Sequence, residues 1–274
     1  MPFFFYTFVR GNHHFMNHLR TVWDYIFYFF SARHTRGFSV HSPFVFQFTR
    51  FVLGEKHAFY AFQPIEDQRI RLKNDSRILN ITDFGTGNDR SESVSNIALH
   101  ALKQAKYGQL LYRMVHYFKS QTVLELGTSL GVTTSYLASS SKEIQCLTLE
   151  GCPRIAEIAR ENFNRLGLKN VEVIVGNIDQ TLTDVINKTI KLDFVFVDAN
   201  HQSKAVLNYF ELCLSKIHAD SVMVIDDIYW SDDMKWAWQQ IKNHSRVTST
   251  IDLFQIGIVF FNKDLHKMHY KMRY

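Results

Sequence analysis

Two groups of acidic residues stand directly behind apolar runs. Phe194–Val197 is followed by Asp198-Ala199-Asn200-His201, and Ser221–Ile225 by Asp226-Asp227-Ile228-Tyr229-Trp230. A short apolar run of this kind reads as a buried strand, so each acid lies at a strand's carboxyl end. Three carboxylates brought to one crevice repel one another unless something positive sits among them. Asp198, Asp226 and Asp227 are hard oxygen ligands in a number that suits Mg²⁺. His201 adds a ring whose ordinary pKa, about 6.5, lets it take a proton near neutral pH.

Three further strand ends carry polar groups in a set order. Thr122–Leu126 contains Glu125 and runs into Gly127-Thr128-Ser129-Leu130-Gly131. The two glycines allow a tight turn and a close approach of backbone to a ligand. Ile144–Leu149 is followed by Glu150, 19 residues beyond Gly131, where a carboxylate can accept two hydrogen bonds from a ribose diol. Val171–Val175 is followed by Gly176-Asn177-Ile178-Asp179, polar groups suited to an adenine edge. A nicotinamide dinucleotide site usually reads G-x-G-x-x-G. The G-x-x-x-G spacing here counts against an oxidoreductase.

The elements that must position these residues form a repeating register. A helix-like stretch, Tyr107–Phe118, precedes the first strand, and the spacing predicts helices over Pro153–Leu166, Thr181–Asn187, Ser203–Ile217 and Asp232–Asn243. Apolar strands alternating with helices imply a parallel sheet covered on both faces. Thr248–Leu253 and Ile256–Phe261 are separated by almost nothing and must pair antiparallel at one end of the sheet. In such sheets a ligand lies beyond the carboxyl ends of the strands, where strand order reverses. Residues 1–106 read as an N-terminal helical cap, the first fifteen as a weakly ordered tag, and 107–274 as the main domain. Within the cap, Ser42-Pro43 starts a helix carrying Phe44, Val45, Phe48, Phe51 and Val52. Phe44, Phe46, Tyr60 and Phe62 either pack into the core or line an apolar acceptor pocket. A second glycine cluster, Asp83-Phe84-Gly85-Thr86-Gly87-Asn88-Asp89-Arg90, reads as a turn or a substrate-facing lid, with a helix starting at Ser91.

On these residues the chain resembles the class I S-adenosylmethionine-dependent methyltransferases, from about Tyr107 onward. LELGTSLGVTT (124–134) looks like their first motif, TLE (148–150) like the ribose-binding acid and GNID (176–179) like the adenine loop. The resemblance implies a Rossmann-like, doubly wound sheet of seven mostly parallel strands with a reversed terminal strand. It places Gly127, Thr128, Ser129 and Gly131 along the methionine part of the cofactor, Glu150 on its ribose, and Asn177 and Asp179 near adenine. Glu125 would order the loop or the cofactor's ammonium group, with Asp198 beside the cofactor as well.

The acids behind the fourth and fifth strands look like those of the catechol and caffeoyl-CoA type of O-methyltransferase. Asp198 and Asp226 match in place and type, Asp227 stands where Asn is usual, and His201 stands where the family has its catalytic Lys. The implied activity is methylation of a small hydroxylated acceptor, with His201 as base, Asp198 beside it and Asp198, Asp226 and Asp227 as the Mg²⁺ set. Metal-free chemistry stays open, because acids at these strand ends also contact substrate or order loops. A methyltransferase acting on RNA or protein, and a non-catalytic cofactor-binding module, are the rival readings.

Composition bounds the rest. With 46% hydrophobic and 21% charged residues, the chain has material for a full core, which excludes intrinsic disorder. Three Cys are too few for a disulfide framework and read as reduced thiols of a cytoplasmic protein. The excess of 31 Lys and Arg over 26 Asp and Glu, +5, permits a nucleic-acid partner without indicating one. Met1–Phe8 lacks the basic flank and cleavage site of a secretory signal, and Val22–Phe30 contains Asp24 and is too short to span a bilayer. The phenylalanine-rich N-terminal region is a candidate homodimer surface.

Overall fold

The computed structural model describes residues 11–82 and 89–274, without the side chains of 11–19 and 21. Residues 1–10 of the expected tag, and Asp83 to Asn88 of the second glycine cluster, lie outside the described residues. The chain begins with α1 (Gly11–Ser31) and α2 (Pro43–Phe48), and a wider π-type turn carries α2 on to Leu53. Then come α3 (Phe62–Lys73), β1 (Ile78–Ile81), β2 (Arg90–Ser93), α4 (Val94–His100) and α5 (Ala105–Tyr117). The alternating register follows: β3 (Thr122–Leu126), α6 (Val132–Ala138), β4 (Gln145–Glu150), α7 (Pro153–Arg165), β5 (Val171–Val175), α8 (Ile178–Lys188), β6 (Leu192–Val197), α9 (Ser203–Leu214) and β7 (Ile217–Asp226). It ends in α10 (Asp232–Asn243), β8 (Ser249–Asp252), β9 (Ile256–Phe260) and β10 (Met268–Lys271).

Among the described residues the main sheet has eight strands, in the order β10-β8-β9-β7-β6-β3-β4-β5. β5, β4, β3, β6 and β7 run parallel, and β9 pairs antiparallel with both β7 and β8. The expected hairpin and reversed strand are present. The eighth strand, β10, is additional: it pairs parallel with β8 at the edge. A four-residue edge strand held by backbone bonds leaves no apolar run in the sequence to announce it.

Alternation along each strand sends side chains to two cores. Leu124, Leu126, Val195, Val197, Met223 and Ile225 pack with α8, α9 and α10 on one face. Val123, Phe194, Phe196, Val222 and Val224 face the other, against α5 and α2. The N-terminal region joins this second core. Ser42 caps α2 by accepting the Val45 amide at 3.4 Å, and Phe48, fully buried, packs on Phe118 and Phe260. Phe44 and Phe62 are likewise spent on core rings, Phe260 and Tyr112 among them, whereas Phe46 and Tyr60 are exposed.

The helix expected at Ser91 starts instead at Val94, with Ser93 as its cap accepting the Asn96 amide at 3.2 Å. Arg90 to Ser93 pair antiparallel with Ile81 to Ile78, so the cap region is not wholly helical. The apolar stripe that drives α4, Val94, Ile97 and Ala98, begins only at residue 94. No helix among the described residues is long and apolar enough to cross a membrane.

α1 is fastened to the C-terminal strands by Tyr28, whose buried hydroxyl donates to the Met272 carbonyl or, at 2.9 Å, to that of Asp252. Removing the hydroxyl leaves a buried acceptor short of a donor, a loss of ~1–3 kcal/mol. Tyr28→Phe is therefore expected to lower the denaturation midpoint without changing its cooperativity. An unchanged midpoint would mean that the aromatic packing of Tyr28 alone seats α1.

Candidate functional site

β3 lies between β4 and β6, and the chain leaves it in opposite directions to reach them. The switch point therefore falls between the carboxyl ends of β3 and β6, at Gly127 and Asp198. The Asp198 amide donates to the Leu126 carbonyl at 2.9 Å, holding the two ends edge to edge.

Gly127 has φ +99°, and a Cβ there would lie 2.1 Å from the Asp198 carbonyl oxygen. Gly131, with φ +78°, starts α6, and a Cβ on it would meet the Phe163 ring at 2.7 Å. Ser129 between them also takes a left-handed conformation, φ 48°. The amides of Gly127 and Thr128 share the Leu149 carbonyl at 3.0 and 3.1 Å. Glu150 closes the turn: one carboxylate oxygen accepts the Ser129 amide at 2.8 Å and the other the Cys152 amide at 2.9 Å. Burial raises the Glu150 carboxyl while these backbone donors pull it back. Each oxygen keeps a lone pair for another donor. The Gly176 amide donates to the Glu150 carbonyl at 2.9 Å, which brings the end of β5 to the same place.

Glu125 sits beneath the turn with no exposed surface. Thr148 donates to its Oε2 at 2.7 Å, Thr134 donates to the same oxygen, and the Thr128 hydroxyl lies 2.6 Å from that of Thr148. Oε1 has no partner among the described residues. Burial raises the Glu125 carboxyl to about 8, Asp198 and Glu150 add to the rise, and the two threonines oppose it. The folded protein thus holds a proton there that the unfolded chain releases above its ordinary value of 4.5. Stability should therefore fall as pH rises from 4.5 to about 8, by at most ~1.4 kcal/mol per pH unit from this group. Glu125→Gln should flatten that slope in denaturant titrations; an unaltered slope would show that Glu125 is ionised in the folded protein throughout.

Asn177 and Asp179 serve the fold as well as the crevice. Asn177 caps α8 through the Asp179 amide at 3.0 Å, and Asp179 accepts the Tyr209 hydroxyl at 2.6 Å. Asn200 donates to the same hydroxyl at 3.4 Å, and its Oδ1 is buried without a partner among the described residues.

The far wall comes from the loops after β6 and β7. Asn200, His201 and Asp227 all have positive φ, 68°, 38° and 52°, a cost that a surrounding structure must impose. His201 lies between two acids, its Nε2 3.9 Å from Asp198 and its Nδ1 4.0 Å from Asp227. Its ring is 6.3 Å from that of Trp230. Burial and Asp198 push the Asp227 carboxyl up, with Lys103 and His201 opposing. Ser203, at the start of α9, ties the two loops by donating its amide and hydroxyl to Asp233, both at 2.6 Å.

Lys103 was not foreseen. It lies on the link between α4 and α5, and its ammonium bonds Asp226 Oδ2 and stands 4.0 Å from Asp198. It arrives from before the first main strand, where no strand-end spacing points to it. The expectation of an Mg²⁺ set on Asp198, Asp226 and Asp227 does not fit this arrangement. The position between Asp198 and Asp226 is held by an ammonium, and no three His, Cys, Asp or Glu residues among those described converge as metal ligands. The crevice does fit an organic ligand: Glu125 Oε1, Asn200 Oδ1 and Asp226 Oδ1 are buried oxygens without a hydrogen-bond partner among the described residues. Of the lid residues, Asp89 and Arg90 are described, and Arg90 donates to Glu92 at 2.9 Å.

Comparison with known proteins agrees with this geometry. Residues 124–228 match the family model of a methyltransferase domain. A catechol O-methyltransferase of Mycobacterium tuberculosis is 31% identical over 126 residues, 45% of this chain and 56% of that protein. A second, from Niastella koreensis, is 28% identical over 128 residues, 46% of this chain and 56% of the relative. The chain thus spans a little over half the length of these curated relatives. An O-methyltransferase from Bacillus cereus, solved with S-adenosylhomocysteine, superposes with a TM-score of 0.55 at 22% identity, covering 79% of this chain and 96% of that one. Residues 124–228 thus match a methyltransferase domain, and the chain shares the fold of solved O-methyltransferases.

Proposed function

We propose that the protein is an S-adenosylmethionine-dependent O-methyltransferase acting on a small hydroxylated molecule. The observation that carries this reading is the turn from Gly127 to Gly131, clamped by Glu150 at the switch point and faced by Asp198, His201 and Asp227. Gly127, Thr128, Ser129 and Gly131 would cradle the methionine part of the cofactor, and Glu150 its ribose. Asn177 and Asp179 would border adenine. Bound there, the cofactor supplies a methyl group on a sulfonium. Glu125 Oε1, which holds a proton below about pH 8 in the ligand-free protein, would release it to receive an ammonium group, direct or through water.

His201 takes the acceptor's hydroxyl proton on a ring nitrogen, and Asp198 and Asp227 stabilise the imidazolium that forms. Aligning the acceptor supplies much of the acceleration, up to ~7–11 kcal/mol. The similarity to catechol O-methyltransferases favours a phenolic acceptor. The protein is taken to be cytoplasmic from its three free, buried thiols. The exposed Trp23, Phe27 and Phe30 of α1 are the surface on which a homodimer would form.

The test is transfer of label from methyl-labelled cofactor to a panel of catechols and simple phenols. Labelled ethers, formed about 10²–10⁴-fold more slowly by His201→Ala, are expected. Label passing only to RNA or protein would overturn the small-molecule acceptor.

A further inference from the structure

Asp226 is buried to 1% of its side chain, and a buried carboxylate needs a counter-charge. The resemblance supplies Mg²⁺ for that purpose; the chain supplies Lys103. Its side chain is 11% exposed, and its ammonium bonds Asp226 and faces Asp198. The link that carries it is short and held at both ends. α4 buries Val94, Ile97 and Ala98, and α5 buries Leu110, Leu111 and Met114. Lys103 is therefore delivered by rigid elements rather than by a free loop.

We propose that Lys103 is the resident cation of this crevice, taking the place of a divalent metal, and that it positions the acceptor's hydroxyl. A metal and this ammonium exclude each other between Asp198 and Asp226, because both are cations seeking the same oxygens. The exchange also changes what the site can recognise. A divalent ion with open positions chelates two neighbouring oxygens, whereas an ammonium donates separate hydrogen bonds. Beside it, Asp226 Oδ1 is a buried acceptor without a partner among the described residues. An ammonium hydrogen donated to the oxygen of a single hydroxyl, whose own proton goes to His201, holds the acceptor without a second oxygen, so the acceptor need not be a vicinal diol. This rests on the reading of the crevice as a methyl-transfer site, although the charge argument for Lys103 does not.

The experiment is calorimetric titration of Mn²⁺ into the wild-type protein, its Lys103→Ala, Lys103→Arg and Asp226→Asn variants, and the double variant Lys103→Ala, Asp226→Asn. Wild type and Lys103→Arg should bind no Mn²⁺ saturably. Lys103→Ala should gain one site, at least about tenfold tighter than anything in wild type, and the double variant should lose it. Saturable binding to wild type that Asp226→Asn abolishes would overturn the proposal. So would a Lys103→Ala protein that stays folded by circular dichroism and gains no site. S-adenosylhomocysteine titrated into the same samples reports separately on the cofactor reading: its failure would sink that reading and leave the Mn²⁺ result to decide the role of Lys103.

Discussion

Gly127→Ala is expected to abolish measurable binding of S-adenosylhomocysteine, weakening it by at least about 100-fold, or ~2.7 kcal/mol. Two effects add. A residue with a side chain at φ +99° carries a left-handed penalty of roughly 1–2 kcal/mol. The new Cβ would also overlap the Asp198 carbonyl oxygen at 2.1 Å. That oxygen has little freedom to retreat, because the Asp198 amide is bonded to Leu126. Relief must come from the turn, which pulls the Ser129 amide from Glu150 and unmakes the cradle. Isothermal titration, with the melting temperature as a check on folding, measures it. An affinity within about threefold of wild type would show that the turn does not form the cofactor's seat.

Phe48→Ala should have the largest effect on stability. Phe48 is fully buried and packs against Phe118, Tyr117 and Phe260. Truncating such a ring costs ~3–5 kcal/mol, a fall of about 6–20 °C in Tm for a chain of this length. The loss should appear as one cooperative transition, because α2 belongs to the same core as Val123, Val224 and Phe260. A cost below about 1 kcal/mol, or a separate early transition, would mean that the N-terminal region is a detachable cap.

The parallel sheet was legible because each of its inner strands is an apolar run with a helix behind it. β6, for example, is buried along its whole length. The turn at Gly127 was legible for a related reason: glycines beside a strand end announce a sharp change of direction. β10 was not, since its four residues owe their place to backbone pairing with Ser249 to Asp252 rather than to an apolar pattern. The start of α4 was misplaced because Ser91 and Ser93 are both chemically able to cap a helix. Only burial of Val94 and Ile97 decides between them.

The crevice shows the same division. Asp198, His201, Asp226 and Asp227 could be found from strand ends, and the structure gathers them. What neutralises them could not. Lys103 is an isolated lysine, and its partners lie 95 and 123 positions away, at Asp198 and Asp226. Local spacing said only that a positive charge was needed, and a metal was the general answer. The second role of Asn177, as the cap of α8, was equally invisible until its Oδ1 was seen to take the Asp179 amide.

The turn after β3 and the acid after β4 are proposed together as the seat of an adenosyl cofactor. The most direct measurement is calorimetric titration of S-adenosylhomocysteine into the wild-type protein and Glu150→Ala. One equivalent bound saturably by wild type, with affinity reduced at least about tenfold in the variant, is the expected result. No saturable binding to a folded wild-type protein, or equal binding to both, would contradict it.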